Sequence, residues 1–174
     1  VFDVQQTNTL IFNNTHFNSC QMALYFSLNI FTTKSTILIT NSKFIKCYSK
    51  ENGGAMSFII SNDIHRNLIT RNKDDKKVKY PPLNAVDISL HSIVVRDCFC
   101  MAGGSAIFIS CQISKSEPLF VKAFMASITF TKNSAINGEG GSIKIHNVGN
   151  INMHFCKFFK NTAKKSGGSV SIYH

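Results

Sequence analysis

Short runs of alternating apolar and polar residues recur along this chain at a nearly fixed spacing. In the first run, Leu10 and Phe12 fall on one side of an extended segment and Ile11 and Asn13 on the other, the period of a β-strand. The run leads into Phe17-Asn18-Ser19-Cys20, which returns as Phe44-Ile45-Lys46-Cys47, Val95-Arg96-Asp97-Cys98, Phe130-Thr131-Lys132-Asn133 and Phe158-Phe159-Lys160-Asn161. Ten residues before each Cys or Asn stands Leu10, Ile37, Ile88, Ala123 or Ile151, and eight before it Phe12, Ile39, Leu90, Met125 or Met153. Six or seven residues after it comes a corner of small residues: Gly53-Gly54-Ala55-Met56, Gly104-Ser105-Ala106-Ile107, Gly140-Gly141-Ser142-Ile143 and Gly167-Gly168-Ser169-Val170. The first copy carries Ala23-Leu24-Tyr25-Phe26 in place of the glycines. Five copies in one register, 27 or 28 residues apart at their tightest, are a solenoid signature.

A 27-residue period is too short for a helix-turn-helix repeat and lacks the leucines of a leucine-rich repeat. No stretch sustains helical spacing for three turns, and Gly, Asn, Ser and Thr punctuate every ten residues or so. The pattern predicts three short strands and three bends per coil in an all-β, right-handed parallel β-helix of about five coils, rising about 24 Å. The Phe position should fill the core. The Cys/Asn position should sit at a bend, where a stacked amide satisfies its neighbours and tolerates a left-handed backbone. The glycines should make a sharp corner before the next strand. Coils are expected over 1–30, 36–60, 87–109, 125–145 and 151–172. Two insertions interrupt them, a basic loop at 61–83 between coils two and three and a shorter one at 111–120.

With 44% apolar and 11% aromatic residues, the chain can build a core. It begins at Val1 and stops partway through a repeat, so it reads as one β-helix segment of a longer protein whose flanking coils would cover the open strand edges. No apolar run approaches the ~20 residues of a membrane span. A net charge of +10 suits acidic partners, acidic glycans among them, although most lysines are isolated and read as a solvated surface. The exception is the basic loop, where Arg66, Arg71, Lys73, Lys76, Lys77 and Lys79 form a candidate partner-binding segment. Asn13-Asn14-Thr15 is an N-glycosylation sequon whose Asn13 should face outward if Phe12 faces in. The six cysteines show no CxxC. Cys20, Cys47 and Cys98 share one register, so their coils would bring them within Cα reach of a disulfide, but free buried thiols are the expected state.

Catalysis finds little footing. Polysaccharide lyases and hydrolases on β-helices need carboxylates clustered with a basic residue on one face. Here there are nine acidic residues, three of them in the loop, and Arg96 and Asp97 should point apart on an extended strand. The histidines lack ligand spacing, so neither metal nor cofactor is expected; His91 and His154 should project outward. Gly138-x-Gly140-Gly141 lacks the Lys-Ser/Thr of a phosphate loop. Nucleic-acid binding is disfavoured because the aromatics follow the inward register.

The paired motifs, Phe130 to Asn133 and Phe158 to Asn161 with Gly53 to Met56, Gly140 to Ile143 and Gly167 to Val170, resemble the repeats of chlamydial polymorphic membrane proteins. Similar repeats occur in large surface proteins of protists, ciliates included. The resemblance covers roughly residues 8–60 and 85–174 and implies a secreted, surface-displayed β-helix of the pectin-lyase-like kind. Its expected role is non-enzymatic scaffolding or adhesion, contacting other protein subunits or surface ligands at the cell surface or outside the cell. A carbohydrate-active β-helix enzyme or glycan-binding module is the alternative, favoured if acidic side chains converge in one groove. The chain departs from the pattern where Cys20, Cys47 and Cys98 replace Asn, where coil one lacks glycines, and where the basic loop intervenes.

Overall fold

The computed structural model describes residues 2–3, 9–29, 35–61, 85–112 and 120–173. The described residues are all-β without a helix, arranged as four parallel sheets that stack coil on coil as a parallel β-helix. Face I holds strands Thr9–Asn13, Ser35–Thr40, Ala85–His91, Phe120–Ala126 and Asn150–His154. Face II holds His16–Asn18, Lys43–Ile45, Val94–Arg96, Thr129–Thr131 and Lys157–Phe159. Face III holds the two-residue strands Tyr48–Ser49, Phe99–Cys100, Ser134–Ala135 and Thr162–Ala163. Face IV holds Phe2–Asp3, Leu24–Asn29, Met56–Ser61, Ile107–Gln112, Ile143–His146 and Val170–Tyr173.

The coil therefore has four strands, not three. The extra one is face III, where the chain after the Cys/Asn bend stays extended just long enough to pair with the coils on either side, as Tyr48, Phe99, Ser134 and Thr162 do. Coil one skips this strand: Gln21 bridges to Tyr48, and Met22 turns the chain with φ +43° straight into Leu24.

The apolar register is the pairing register. Leu10, Ile37, Ile88, Ala123 and Ile151 align on face I, as do Phe12, Ile39, Leu90, Met125 and Met153. Face II aligns Phe17, Phe44, Val95, Phe130 and Phe158. Phe rings stack along the inward columns: Phe17 on Phe44 at 5.1 Å, Phe130 on Phe158 at 4.9 Å, and Phe26 on Phe58 at 4.9 Å on face IV. Phe26, Phe44, Phe58 and Phe130 are fully buried.

Two corners are made without glycine. Between faces I and II the residues Asn14, Asn41, Ser92, Ser127 and Phe155 all have positive φ, and between II and III so do Ser19, Lys46, Asp97, Lys132 and Lys160. A non-glycine residue there costs about 1–2 kcal/mol. In return the turn keeps its N–H on the stack axis: Asn41 donates to the His91 carbonyl at 3.0 Å and Lys46 to that of Arg96 at 3.0 Å. The expectation that the Cys/Asn residue itself is left-handed is thus corrected, since the residue before it turns the backbone and frees the Cys or Asn side chain to enter the core.

That column is a hydrogen-bond ladder. Asn133 Nδ2 donates to the Val95 carbonyl one coil below (3.2 Å) and to Asn161 Oδ1 (3.1 Å), while its Oδ1 accepts from the Cys98 N–H (3.0 Å). Asn161 Nδ2 repeats the downward contact to Phe130 (3.1 Å). The Cys98 thiol donates to the equivalent carbonyl, that of Phe44 (3.7 Å), so a thiol stands in for an amide at the same rung.

Between faces III and IV, Gly53, Gly104, Gly140 and Gly167 have φ from +61° to +67°. A Cβ on Gly140 would overlap the Ile143 carbonyl, and one on Gly141 the carbonyls of Gly168 and Thr162 in the next coil. Both the positive φ and the close approach therefore require glycine. Ser105, at the Gly141 position in the coil below, donates its hydroxyl to the Gly141 carbonyl instead.

Corner lengths separate into two kinds. The I–II and II–III corners always take two residues, and III–IV takes six or seven. The IV–I connections vary: residues 30–34, 62–84, 113–119 and 147–149. Both insertions open from this corner, and their bounds move inward. Ser61 pairs with Gln112, Cys111 with Ile60, and Phe120 with Ala85, so all four residues at these margins, Ser61, Cys111, Gln112 and Phe120, belong to strands. Among the described residues, no helix is long and apolar enough to cross a membrane.

Candidate functional site

Face IV alternates along each strand, so Ile107, Ile109 and Cys111 point inward and are buried while Phe108 and Ser110 face out. One rung up, the outward positions are Lys144 and His146; the next rung carries Ser171 and Tyr173. Beside them, at the edge with face III, Asn52, Gly103 and Glu139 bridge in register. Coil four reaches this register with one extra residue, Gly138, packed so closely on the Ala102 carbonyl that a side chain would collide with it. The extra residue brings Glu139 to the rim of a shallow groove of about 300 Å³ lined by Asn52, Phe108, Glu139, Lys144, His146 and Tyr173.

Lys144 Nζ lies 3.3 Å from Glu139 Oε2 and 5.9 Å from the Tyr173 ring centre, and the His146 and Tyr173 rings meet edge to face at 6.5 Å. A hydrogen bond from the Tyr173 hydroxyl, followed by the Lys144 ammonium, holds the Glu139 carboxyl below its usual range. Glu139 stays ionised and engaged at neutral pH. Two-carboxylate glycoside chemistry needs a second acid across the bond, and among the described residues Glu139 is the only acid lining the groove. Asp87 lies on face I and Asp97 at the II–III corner.

Arg96 and Asp97 do not point apart as extended neighbours would. The positive φ of Asp97 (+55°) breaks the alternation and turns its carboxylate back to Arg96 Nε at 3.2 Å. His91 and His154 do face outward, with Phe124 between them at 5.1 and 5.4 Å. The reading that aromatics follow the inward register holds for the Phe column but not for the chain, because Tyr48, Phe99, Phe108, Phe124 and Phe159 occupy outward positions. Asn13 is exposed, its Oδ1 accepting from Thr40 Oγ1 (2.8 Å) and Asn41 Nδ2 (3.2 Å). The candidate partner residues Arg66, Arg71, Lys73, Lys76, Lys77 and Lys79 lie outside the described residues. Among the described residues, no three of His, Cys, Asp and Glu converge on a point that could hold a metal ion.

All six cysteines are free thiols. In the stacked column Cys47 and Cys98 are neighbours, and their mutual side-chain interaction holds Cys47 below the ordinary thiol range while it and burial push Cys98 above it. Burial pushes Cys100 and Cys111 up to about 11. In the folded protein at neutral pH, iodoacetamide is expected to label the half-buried Cys20 and Cys156, and to reach Cys47, Cys98, Cys100 and Cys111 only after denaturation, as read by peptide mass spectrometry. Fast native labelling of Cys47 would mean that coils two and three separate readily.

Comparison with protein-family models, curated proteins and solved structures finds no match. The groove was not legible in advance, since its parts come from four coils and are joined only by the register that Gly138 shifts. The available signal was the seven-residue interval from Asn133 to Gly140 where the other coils have six.

Proposed function

We propose that this chain is a non-enzymatic β-helix module at a cell surface or outside the cell, a scaffold for adhesion or protein–protein contact. The observation that carries this reading is how the side chains are spent. Inward positions are committed to packing and the thiol–amide ladder, outward positions carry exposed cations and rings, and the described groove holds one carboxylate already tied to Lys144 and Tyr173. The resemblance to polymorphic membrane proteins and the exposed Asn13 sequon support it. A second reading, a glycan-binding or carbohydrate-active groove, is favoured by the convergence of Glu139, Lys144, His146 and Tyr173.

The purified protein is expected to bind saturably to intact cells or immobilised extracellular material, and to release neither reducing ends nor unsaturated sugars from a panel of polysaccharides. Product that appears with the native protein and vanishes with Glu139→Gln would replace the first reading by the second.

A further inference from the structure

Face II and its corner with face III gather most of the exposed cations described on one side of the stack. The outward strand positions carry Lys43, Arg96 and Lys157, and the left-handed corner column carries Lys46, Lys132 and Lys160; all six are exposed. Parallel stacking puts these residues on rungs about 4.8 Å apart, so Lys132 and Lys160 stand side by side and the set extends along the axis from coil two to coil five. Among the described residues Asp97 is the one carboxylate on this strip, and it is held by Arg96. The strip is therefore a row of like charges on a rigid frame, where neutralisation by a ligand relieves repulsion without ordering the protein.

We propose that this strip is a docking site for a linear acidic polysaccharide lying along the stack axis. The proposal deepens the surface-module reading and rests on it. Charge complementarity selects a polyanion, and the outward rings decide which kind. Tyr48 and Phe99 stack on each other at 5.5 Å and 14°, so they present edges to solvent, and Lys160 Nζ covers the Phe159 ring at 5.1 Å. Among the described residues the strip thus offers no row of open rings on which successive nucleic-acid bases could stack; Phe155, 85% exposed, stands alone at the I–II corner beside it. The other outward strand positions are mixed: His16, Asn18, Thr129 and Thr131 are hydrogen-bonding groups suited to sugar hydroxyls, while Ile45, Val94 and Phe159 stand singly on different rungs and do not gather into the continuous apolar face of a membrane-inserting surface.

The test is binding of the folded chain to immobilised heparin and to polygalacturonate, with dextran, oligo(dT) and phosphatidylserine vesicles as alternatives. At least one acidic polysaccharide should bind, with affinity falling steeply as salt rises. Lys132→Glu with Lys160→Glu, and separately Lys43→Glu with Lys157→Glu, should each weaken binding at least tenfold with unchanged circular dichroism. Lys122→Glu, on exposed face I, should change it less than twofold. No binding to either acidic polysaccharide at low salt, an equal loss with Lys122→Glu, or preference for oligo(dT) or vesicles would overturn the proposal. Saturable cell binding that survives both double variants would remove this strip while leaving the surface-module reading intact; loss of all cell binding by the native protein would remove that reading itself.

Discussion

Phe130→Ala is expected to destabilise the stack by about 3–5 kcal/mol, the range for deleting a buried ring from a core that cannot collapse around the gap. Phe130 is fully buried, lies 4.9 Å from Phe158 at an interplanar angle of 7°, and sits on a rung fixed by pairing above and below. The backbone ladders hold that spacing, so the space cannot close. Phe130→Val should cost less, because Val95 fills the same rung one coil down. Urea unfolding followed by circular dichroism measures both; a loss below about 1 kcal/mol for Phe130→Ala would mean that the ring column is not a stabilising core.

Asn133→Ala is the second large effect. It leaves the Cys98 N–H and the Val95 carbonyl without their partners inside the stack. At about 1–3 kcal/mol for each of the two buried groups left unsatisfied, the expected loss is about 2–6 kcal/mol. Asn133→Cys should recover part of it, since the Cys98 thiol makes the corresponding contact to Phe44 in the coil below. The comparison separates a polar ladder from simple space filling: equal losses in the alanine and cysteine variants would show that the rung needs the amide itself.

The periodic parts of this architecture were readable because each is a side-chain property repeated at one interval. Phe17, Phe44, Phe130 and Phe158 announced an inward column, and Gly53, Gly140 and Gly167 a corner. What stayed hidden is set by the backbone or by neighbours in other coils. Face III has two residues per coil, too few for alternation to register, so four strands read as three. The left-handed turns fall on Lys46, Lys132 and Phe155, residues that give no composition signal for positive φ; Phe155, 85% exposed, has no inward role that would mark it. Arg96 and Asp97 meet only because one of these turns lies between extended segments. Glu139 and Tyr173 share a groove through a register offset of one residue, and the cationic strip exists only once Lys43, Lys132 and Lys160 are placed on adjoining columns.

The unequal corners have a consequence for how such a chain can diversify. Because the IV–I connection varies widely in length, while the I–II and II–III corners do not vary and the III–IV corner does so by one residue, new sequence can enter there without shifting the contents of any rung. The strand ends that flank 30–34, 62–84, 113–119 and 147–149 lie along one edge of the stack, so added sequence would enter the chain at points aligned in a row. Weak contacts made at several such aligned entry points to one extended ligand would add through effective concentration rather than through the strength of any single contact.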